Sequence, residues 1–250
     1  MNGRFVRLLA TAILVAGPVS AQPSTDWPIH SNDRPKPAVV TPAKSALPVA
    51  PPAGAVILFG GGDLSKWEQV RGDTLRWVAR DDYFEVQPGS GDLRTRDSFG
   101  DAEVHVEWMA PAPPRGADQN RGNSGLYLMS TYELQILDSY ENPTYADGQA
   151  GAIYGQFPPL VNASRPPGEW QSYDVVFRGP RFDSSGKLLR PATMTVHHNG
   201  VLVQDNVTLS GPTAHYARPP YKAHEEKLPI LLQDHGHRVR FRNIWLKELK

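Results

Sequence analysis

Residues 102–109 read Ala-Glu-Val-His-Val-Glu-Trp-Met, and this stretch decides the fold class. Apolar side chains at positions 104, 106 and 108 alternate with polar side chains at positions 103, 105 and 107. Successive side chains of a β-strand point to opposite faces of the sheet. The stretch therefore predicts a strand with one apolar and one polar face, which is typical of an antiparallel sheet.

Similar short runs, rich in Val, Tyr, Trp and Thr, follow through the rest of the chain and are separated by Gly, Pro, Asn and Asp. This spacing predicts an all-β sandwich or barrel. The Asn199-Gly200 pair is typical of a type I′ hairpin turn, whose two central residues need positive φ. The other predicted strands are Trp77–Ala79, Tyr83–Gln87, Ser124–Met129, Tyr132–Leu137, Ser172–Phe177, Ala192–His198, Val201–Val207, Leu228–Asp234 and Val239–Leu249.

The first 21 residues have the pattern of a secretory signal peptide. Arg4 and Arg7 precede an apolar run from Leu8 to Ala16, and Val-Ser-Ala at positions 19–21 suits a cleavage site. The apolar run is too short to span a bilayer. We therefore expect a mature chain that begins at Gln22, is periplasmic or secreted, and has no stable membrane insertion.

The next stretch, residues 22–52, contains eight prolines and is predicted to be a semi-rigid, disordered linker. Residues 53–250 are long enough for one sizeable domain. The chain has no cysteine, so an exported domain must be held by its own core. Without the two arginines of the signal the net charge is 24 − 26 = −2, and nothing indicates a nucleic-acid partner.

Residues 123–138, Asn-Ser-Gly-Leu-Tyr-Leu-Met-Ser-Thr-Tyr-Glu-Leu-Gln-Ile-Leu-Asp, form the first candidate site. Alternation places Leu134 and Ile136 on one face of a strand, so the opposite face gathers the polar members of both strands. Gly125 would leave room there for a close approach to the backbone. A polar, aromatic face suits a sugar, although a merely solvated sheet face is the alternative. The predicted members are Asn123, Tyr127, Glu133 and Gln135.

A second candidate set lies in residues 231–245. Gln233 and His235 share a face before the turn at Gly236, and Arg240 lies on the returning strand. A His and an Arg in one cleft can take a proton and stabilise an oxyanion, whereas an ordinary exposed hairpin is the alternative. The long loops between 138 and 170 add Tyr154 and Arg165 as predicted substrate-binding residues.

Several of these blocks, in order, resemble the 3-keto-disaccharide hydrolase family, and the resemblance runs from about Val56 to Leu249. It implies a concanavalin-like (jelly-roll) β-sandwich whose concave sheet binds a sugar. It also implies export and action on glycosides already oxidised at C3. The blocks are residues 58–67, 123–140, 151–155, 166–170, 198–201, 231–236 and 240–245.

The chemistry of a 3-keto sugar reduces what an enzyme must supply. An ordinary glycosidase needs two carboxyls, and alternation points Asp138 away from Glu133. A C3 carbonyl acidifies the C2 hydrogen, so one base can remove it and the aglycone can then leave C1. We hypothesise that either Glu133 or His235 is the base while the other assists proton transfer, with Gln135 and Arg240 near the oxyanion.

Three alternatives remain open at this stage. No cofactor is expected, but a divalent metal held by His235 and Glu133 could polarise the ketone instead. A non-catalytic carbohydrate-binding module would need only the aromatic and amide side chains. A retaining glycoside hydrolase would need Asp138 to join Glu133 on one face.

Overall fold

The computed structural model describes residues 26–44, 46–72 and 74–250, so the predicted signal peptide lies outside the described residues. In that part of the chain, no helix has the length and apolarity needed to cross a bilayer. Two short 3-10 helices cover Asp118–Asn120 and Ala146–Gly148. The strands are β1 (Ala38–Val39), β2 (Val56–Phe59), β3 (Trp67–Gln69), β4 (Val78–Ala79), β5 (Phe84–Glu85), β6 (Leu93–Thr95), β7 (Ala102–Met109), β8 (Ser124–Leu128), β9 (Tyr132–Ile136), β10 (Val161–Asn162), β11 (Gln171–Arg178), β12 (Arg181–Phe182), β13 (Leu188–Arg190), β14 (Thr193–His198), β15 (Val201–Thr208), β16 (Leu231–Leu232) and β17 (Arg240–Glu248).

Two antiparallel sheets form the body of the molecule. The larger sheet has the order β15-β14-β11-β7-β17-β5-β4, with β2 also paired to β17, and the smaller has the order β3-β6-β16-β8-β9. The small pairs β1-β10 and β12-β13 lie outside them. This architecture confirms the predicted all-β antiparallel sandwich of the jelly-roll class.

The core lies between the two sheets and is built from the alternating apolar faces. Trp108 and Phe241 of the larger sheet and Leu126, Leu134 and Ile136 of the smaller are all fully buried. The hairpin at residues 199–200 has positive φ at both positions (53° and 79°), which confirms the predicted type I′ geometry. A second turn with positive φ at Met129 and Ser130 joins β8 to β9.

The register of β17 differs from simple alternation. Phe241 pairs with Trp108, but an irregularity follows, and Trp245 pairs with His105. Asn243, at φ 44°, lies in this bulge. A bulge shifts the following side chains by one position. Trp245 therefore leaves the core face and stacks on His105 with ring centroids 5.0 Å apart, so it is buried on the opposite face of the sheet.

The described part of the proline-rich stretch is packed on the sandwich, which differs from the expected disordered linker. β1 pairs in parallel with β10, and Arg34 is only 2 % exposed. The Val49 amide donates to the Glu107 carboxylate at 2.9 Å. Proline removes donors from this segment, but amides such as those of Val40 and Val49 donate to the domain.

Candidate functional site

A cavity of about 210 Å³ opens on the outer face of the five-stranded sheet. It brings together seven of the nine side chains predicted from sequence, although about 100 residues separate the two blocks that carry them. The predicted residues that line it are Asn123, Tyr127, Glu133, Gln135, Tyr154, Gln233 and His235. The two candidate blocks therefore form one site.

Strand pairing between β8 and β9 positions the centre of this site. Tyr127 pairs with Glu133, and Gly125 pairs with Gln135. A Cβ on Gly125 would lie 2.7 Å from Glu133 Oε1 and 2.8 Å from Tyr127 Cε2, closer than real atoms pack. The space predicted above Gly125 is thus filled by the Glu133 carboxyl and the Tyr127 ring, so any larger residue at this position would displace them.

Glu133 is the buried carboxyl of the cavity, and only 3 % of the residue is exposed. Burial raises the pKa of Glu133 to about 8, the Tyr127 hydroxyl that hydrogen-bonds it opposes the rise, and the nearby charge of Asp92 adds to it. The Tyr127 hydroxyl also accepts from Gln233 Nε2 at 3.2 Å. At neutral pH Glu133 is therefore mostly protonated and able to donate a proton.

Gln135 is already engaged by the protein, which corrects its predicted role at the oxyanion. Its Nε2 donates to Gln119 Oε1 at 3.0 Å and to the Gly148 carbonyl at 3.3 Å. An amide nitrogen has two protons, so both are used. Gln119 also accepts from Asn123 Nδ2 through its backbone carbonyl at 2.9 Å. Gln135 and Gln119 thus form a hydrogen-bonded floor under Asn123.

The chain just after β16 presents Gln233 and His235 to the cavity. The Gln233 amide donates to the Gly125 carbonyl at 3.0 Å, which continues the sheet beyond the strand end. Asp234 accepts from the Gly91 amide at 2.9 Å and from the Gly236 amide at 2.9 Å. This turn holds Asp234 inward, and His235 is exposed at the cavity rim.

Arg240 and Arg165 lie elsewhere, which corrects both predictions. Arg240 is on β17 in the other sheet, donates to Glu85 at 2.7 Å and lies over the Tyr83 ring. Arg165 donates to the Ala43 carbonyl at 2.8 Å. The turn at Gly236 carries the chain from the smaller sheet to the larger, so a shared strand-face pattern does not place Arg240 beside His235.

One wall of the cavity contains no residue predicted from the sequence and is formed by Thr213, Ala214 and His215. Thr213 Oγ1 accepts from the Glu133 amide at 3.0 Å, which fixes this loop to β9. His215 Nδ1 lies 3.0 Å from the Tyr154 hydroxyl, which is 2.8 Å from the Tyr145 hydroxyl. The loop has no strand periodicity, and only its His-Tyr pair could have drawn notice.

Burial and the charges of His30 and His235 lower the pKa of His215. Burial likewise raises the pKa of Tyr154 to about 12. Both groups are therefore neutral near pH 7. If Tyr154 donates to Nδ1, the proton of His215 lies on Nε2 and can serve as a hydrogen-bond donor.

Asp138 is not among the residues that line the cavity. It is 1 % exposed, and its carboxylate pairs with Arg121 at 2.8 Å. Among the described residues, no three His, Cys, Asp or Glu side chains are grouped so that they could hold a metal ion. Glu133 is thus the one carboxyl among the described residues of the cavity wall.

One family model and several solved structures are similar to this chain. The model of the 3-keto-alpha-glucoside-1,2-lyase-like domain matches residues 54–247. A candidate glycosyl hydrolase from Parabacteroides distasonis, solved at 2.13 Å, is 43% identical with a TM-score of 0.78, over 86% of this chain and 93% of that one. Among curated proteins there is no match.

A second candidate glycosyl hydrolase from Parabacteroides distasonis, solved at 1.70 Å, is 20% identical with a TM-score of 0.58. The match covers 79% of this chain and 95% of that one. At this identity the likeness concerns the fold alone. Both structures match almost their full length to this chain.

Proposed function

The chain belongs to the family of 3-keto-alpha-glucoside-1,2-lyase-like domains, and from this premise we propose that it cleaves the glycosidic bond of 3-keto-glycosides by elimination. The observation that carries the proposal is a single buried carboxyl, Glu133, in one cavity with His235. The volume is below the roughly 300–1,000 Å³ of drug-sized sites, so the enclosed part suits one sugar ring.

In the proposed reaction, His235 removes the proton from C2 of the sugar, and the C–H electrons form the C2=C3 enolate. The enolate then re-forms the C3 ketone and a C1=C2 double bond while the bond from C1 to the glycosidic oxygen breaks. Glu133 gives its proton to that leaving oxygen. Water then adds to C1 and a proton returns to C2, which yields the free 3-keto sugar.

The raised pKa of Glu133 supports one of the two assignments of acid and base that the sequence leaves open. A carboxyl with a pKa of about 8 is mostly protonated at pH 7, so it is better prepared as the acid than as the base. His235, exposed at the rim, is left as the base. This division of labour needs one acid and one base and no second carboxyl.

The enolate oxygen needs a donor, and His215 takes that place in the proposal instead of Arg240 and Gln135. A neutral imidazole whose Nδ1 accepts from Tyr154 has an Nε2–H available for the developing charge at O3. Asn123, Tyr127 and Gln233 then bind the sugar hydroxyls.

A panel of glycosides tests this function against its two alternatives. Purified protein is incubated with a 3-keto-glucoside and the matching unoxidised glucoside, and the released aglycone is measured. Release from the 3-keto compound alone is expected. Release from both would favour an ordinary glycosidase, which the Asp138–Arg121 pair argues against. Binding without release would favour a carbohydrate-binding module.

Two further measurements address the steps. Deuterium at C2 should slow the reaction if breaking that C–H bond limits the rate.

Glu133→Gln keeps the size and hydrogen bonding of the side chain but removes its proton, so turnover should fall about 10²- to 10⁴-fold while sugar binding survives. Glu68→Gln makes the same change at a partly exposed glutamate of β3, in the same sheet but outside the cavity, and serves as the matched control.

The pH profile separates the two roles of Glu133. If it is the acid, kcat/KM falls as the pH rises through about 8, because the proton it donates is lost. If it is the base, kcat/KM rises over the same range. The descending limb should be absent in the residual activity of Glu133→Gln.

We also propose that the reaction occurs after export, in the periplasm or outside the cell, and that it needs no metal. By N-terminal sequencing, the exported protein should begin at Gln22.

A divalent metal held by His235 and Glu133 remains the alternative to a metal-free reaction, and unchanged turnover after dialysis against a chelator would count against it.

A further inference from the structure

The segment that precedes the domain reaches the wall of the cavity. We define the N-terminal arm as residues 26–44. Its strand β1 is fixed to β10, and the Val40 amide donates to the Asn162 carbonyl at 2.9 Å. At the other end Arg218 donates to the Trp27 carbonyl at 3.2 Å. The arm therefore lies across the loops that carry Tyr154 and His215.

His30 is the arm residue that contacts this wall. Its side chain is 6% exposed, and its Nε2 lies 2.6 Å from the backbone carbonyl of His215. A carbonyl oxygen only accepts, so Nε2 must carry a proton. The His30 ring also lies 4.1 Å from the Tyr145 ring and 5.0 Å from the Tyr154 ring.

A buried carboxylate fixes the other side of His30. Asp147 is fully buried; its carboxylate accepts from the His30 amide at 3.1 Å and lies 3.5 Å from Nδ1. Arg34 of the arm places its guanidinium 3.8 Å from the same carboxylate. A buried carboxylate without such partners would be strongly destabilising. The arm and the 3-10 helix that contains Asp147 therefore depend on each other.

We propose that His30 is a positioning residue for the reaction: it holds His215 through its backbone carbonyl, and Tyr154 through the contact between their rings, against the bound sugar. This inference rests on the proposed function. His30 does not line the cavity itself; it lies behind the two side chains that do. A misplacement of about 1 Å in such side chains typically costs on the order of 10²-fold in rate.

The test uses substitutions in the full chain. His30→Ala should lower kcat about 10- to 100-fold on a 3-keto-glucoside with a smaller change in KM. His30→Gln keeps a donor for the His215 carbonyl and should recover part of the loss. Lys36→Ala, an exposed change in the same arm, is the control and should match the wild type.

Two additions keep the test decisive. Should His30→Ala fail to fold, His30→Phe retains the ring contacts but lacks the donor, and a reduced kcat is again expected. Histidine NMR reports on His215 without any turnover: its imidazole signals should move in the His30 variants and stay in Lys36→Ala. If the wild type has no activity, the NMR result still decides this inference. Unchanged His215 signals with kcat and KM within twofold of wild type would overturn it.

Discussion

At the scale of single residues, the buried carboxyl of Glu133 serves the candidate site but lowers the stability of the fold. Its carboxyl ionises near its usual pKa of 4.5 when unfolded but near 8 when folded. The unfolded chain therefore loses its proton first as the pH rises, which favours unfolding between about pH 4.5 and pH 8. The free energy of unfolding is therefore highest below about pH 4.5, where Glu133 is protonated in both states, and it falls as the pH rises toward 8.

Glu133→Gln should therefore stabilise the fold while it removes turnover. At pH 7–8 the free energy of unfolding should rise by about 1–3 kcal/mol, since one pKa unit corresponds to roughly 1.4 kcal/mol. Near pH 4.5 the gain should vanish. Urea unfolding at both pH values measures this, and an equal gain at both would contradict the raised pKa.

Gly125→Ala is the second test at this scale. The added methyl would lie 2.7 Å from Glu133 Oε1, so the carboxyl must move. Turnover should fall at least about 10-fold because the proton donor is displaced, and the alkaline limb of the pH profile should shift. Gly200→Ala in the distant hairpin has open space around the new methyl, and its cost at φ 79° falls on stability, so the turnover of the folded variant is expected to stay unchanged.

At the scale of elements, β7 carries a buried polar cluster on the face that alternation predicts to be polar. His105 Nδ1 lies 2.6 Å from Asp174, its Nε2 lies 3.5 Å from Glu107, and Glu107 also accepts from Arg242 at 2.7 Å. Burial lowers the pKa of His105, but the two carboxylates raise it more, and the net shift is upward.

This cluster predicts a pH-dependent stability. A histidine whose pKa is raised on folding stabilises fully below its unfolded pKa of about 6.5, and that contribution is lost as the pH rises through the folded pKa. His105→Gln should therefore cost about 1–2 kcal/mol at pH 6 and less at pH 9. His235→Gln, at an exposed histidine outside this cluster, is the control for stability, and an equal cost for His105→Gln at both pH values would contradict the raised pKa.

Strands with alternating apolar and polar side chains were predictable from the sequence, and segments without such a repeat were not. The strand at 102–109 was predicted with its exact ends, and alternation in β8 and β9 placed Tyr127 and Glu133 together. His215 lies in an aperiodic loop, and His30 lies in a proline-rich arm whose partners are more than 100 residues away. The crossing of the chain between the two sheets at Gly236 explains the error at Arg240, and no local pattern in the sequence announced the bulge in β17.

At the scale of the whole molecule, the two faces of the five-stranded sheet have different tasks. β9 places Ile136 in the core and Glu133 in the cavity, only three residues apart. Because side chains alternate along a strand, those that face the core can determine stability while those that face the cavity determine the chemistry. A sandwich can thus tolerate a buried carboxyl on its outer face if its inner face stays well packed.

Ile136→Ala tests this separation. Ile136 is fully buried between the sheets, so its truncation should lower the free energy of unfolding by about 2–5 kcal/mol. Its side chain points away from the cavity, so kcat measured at a temperature where the variant is folded should remain within a few fold of wild type. Val176→Ala, at a residue 39% exposed on β11, should cost less than about 0.5 kcal/mol. A large loss of kcat in folded Ile136→Ala would show that the core and the cavity are mechanically coupled through β9.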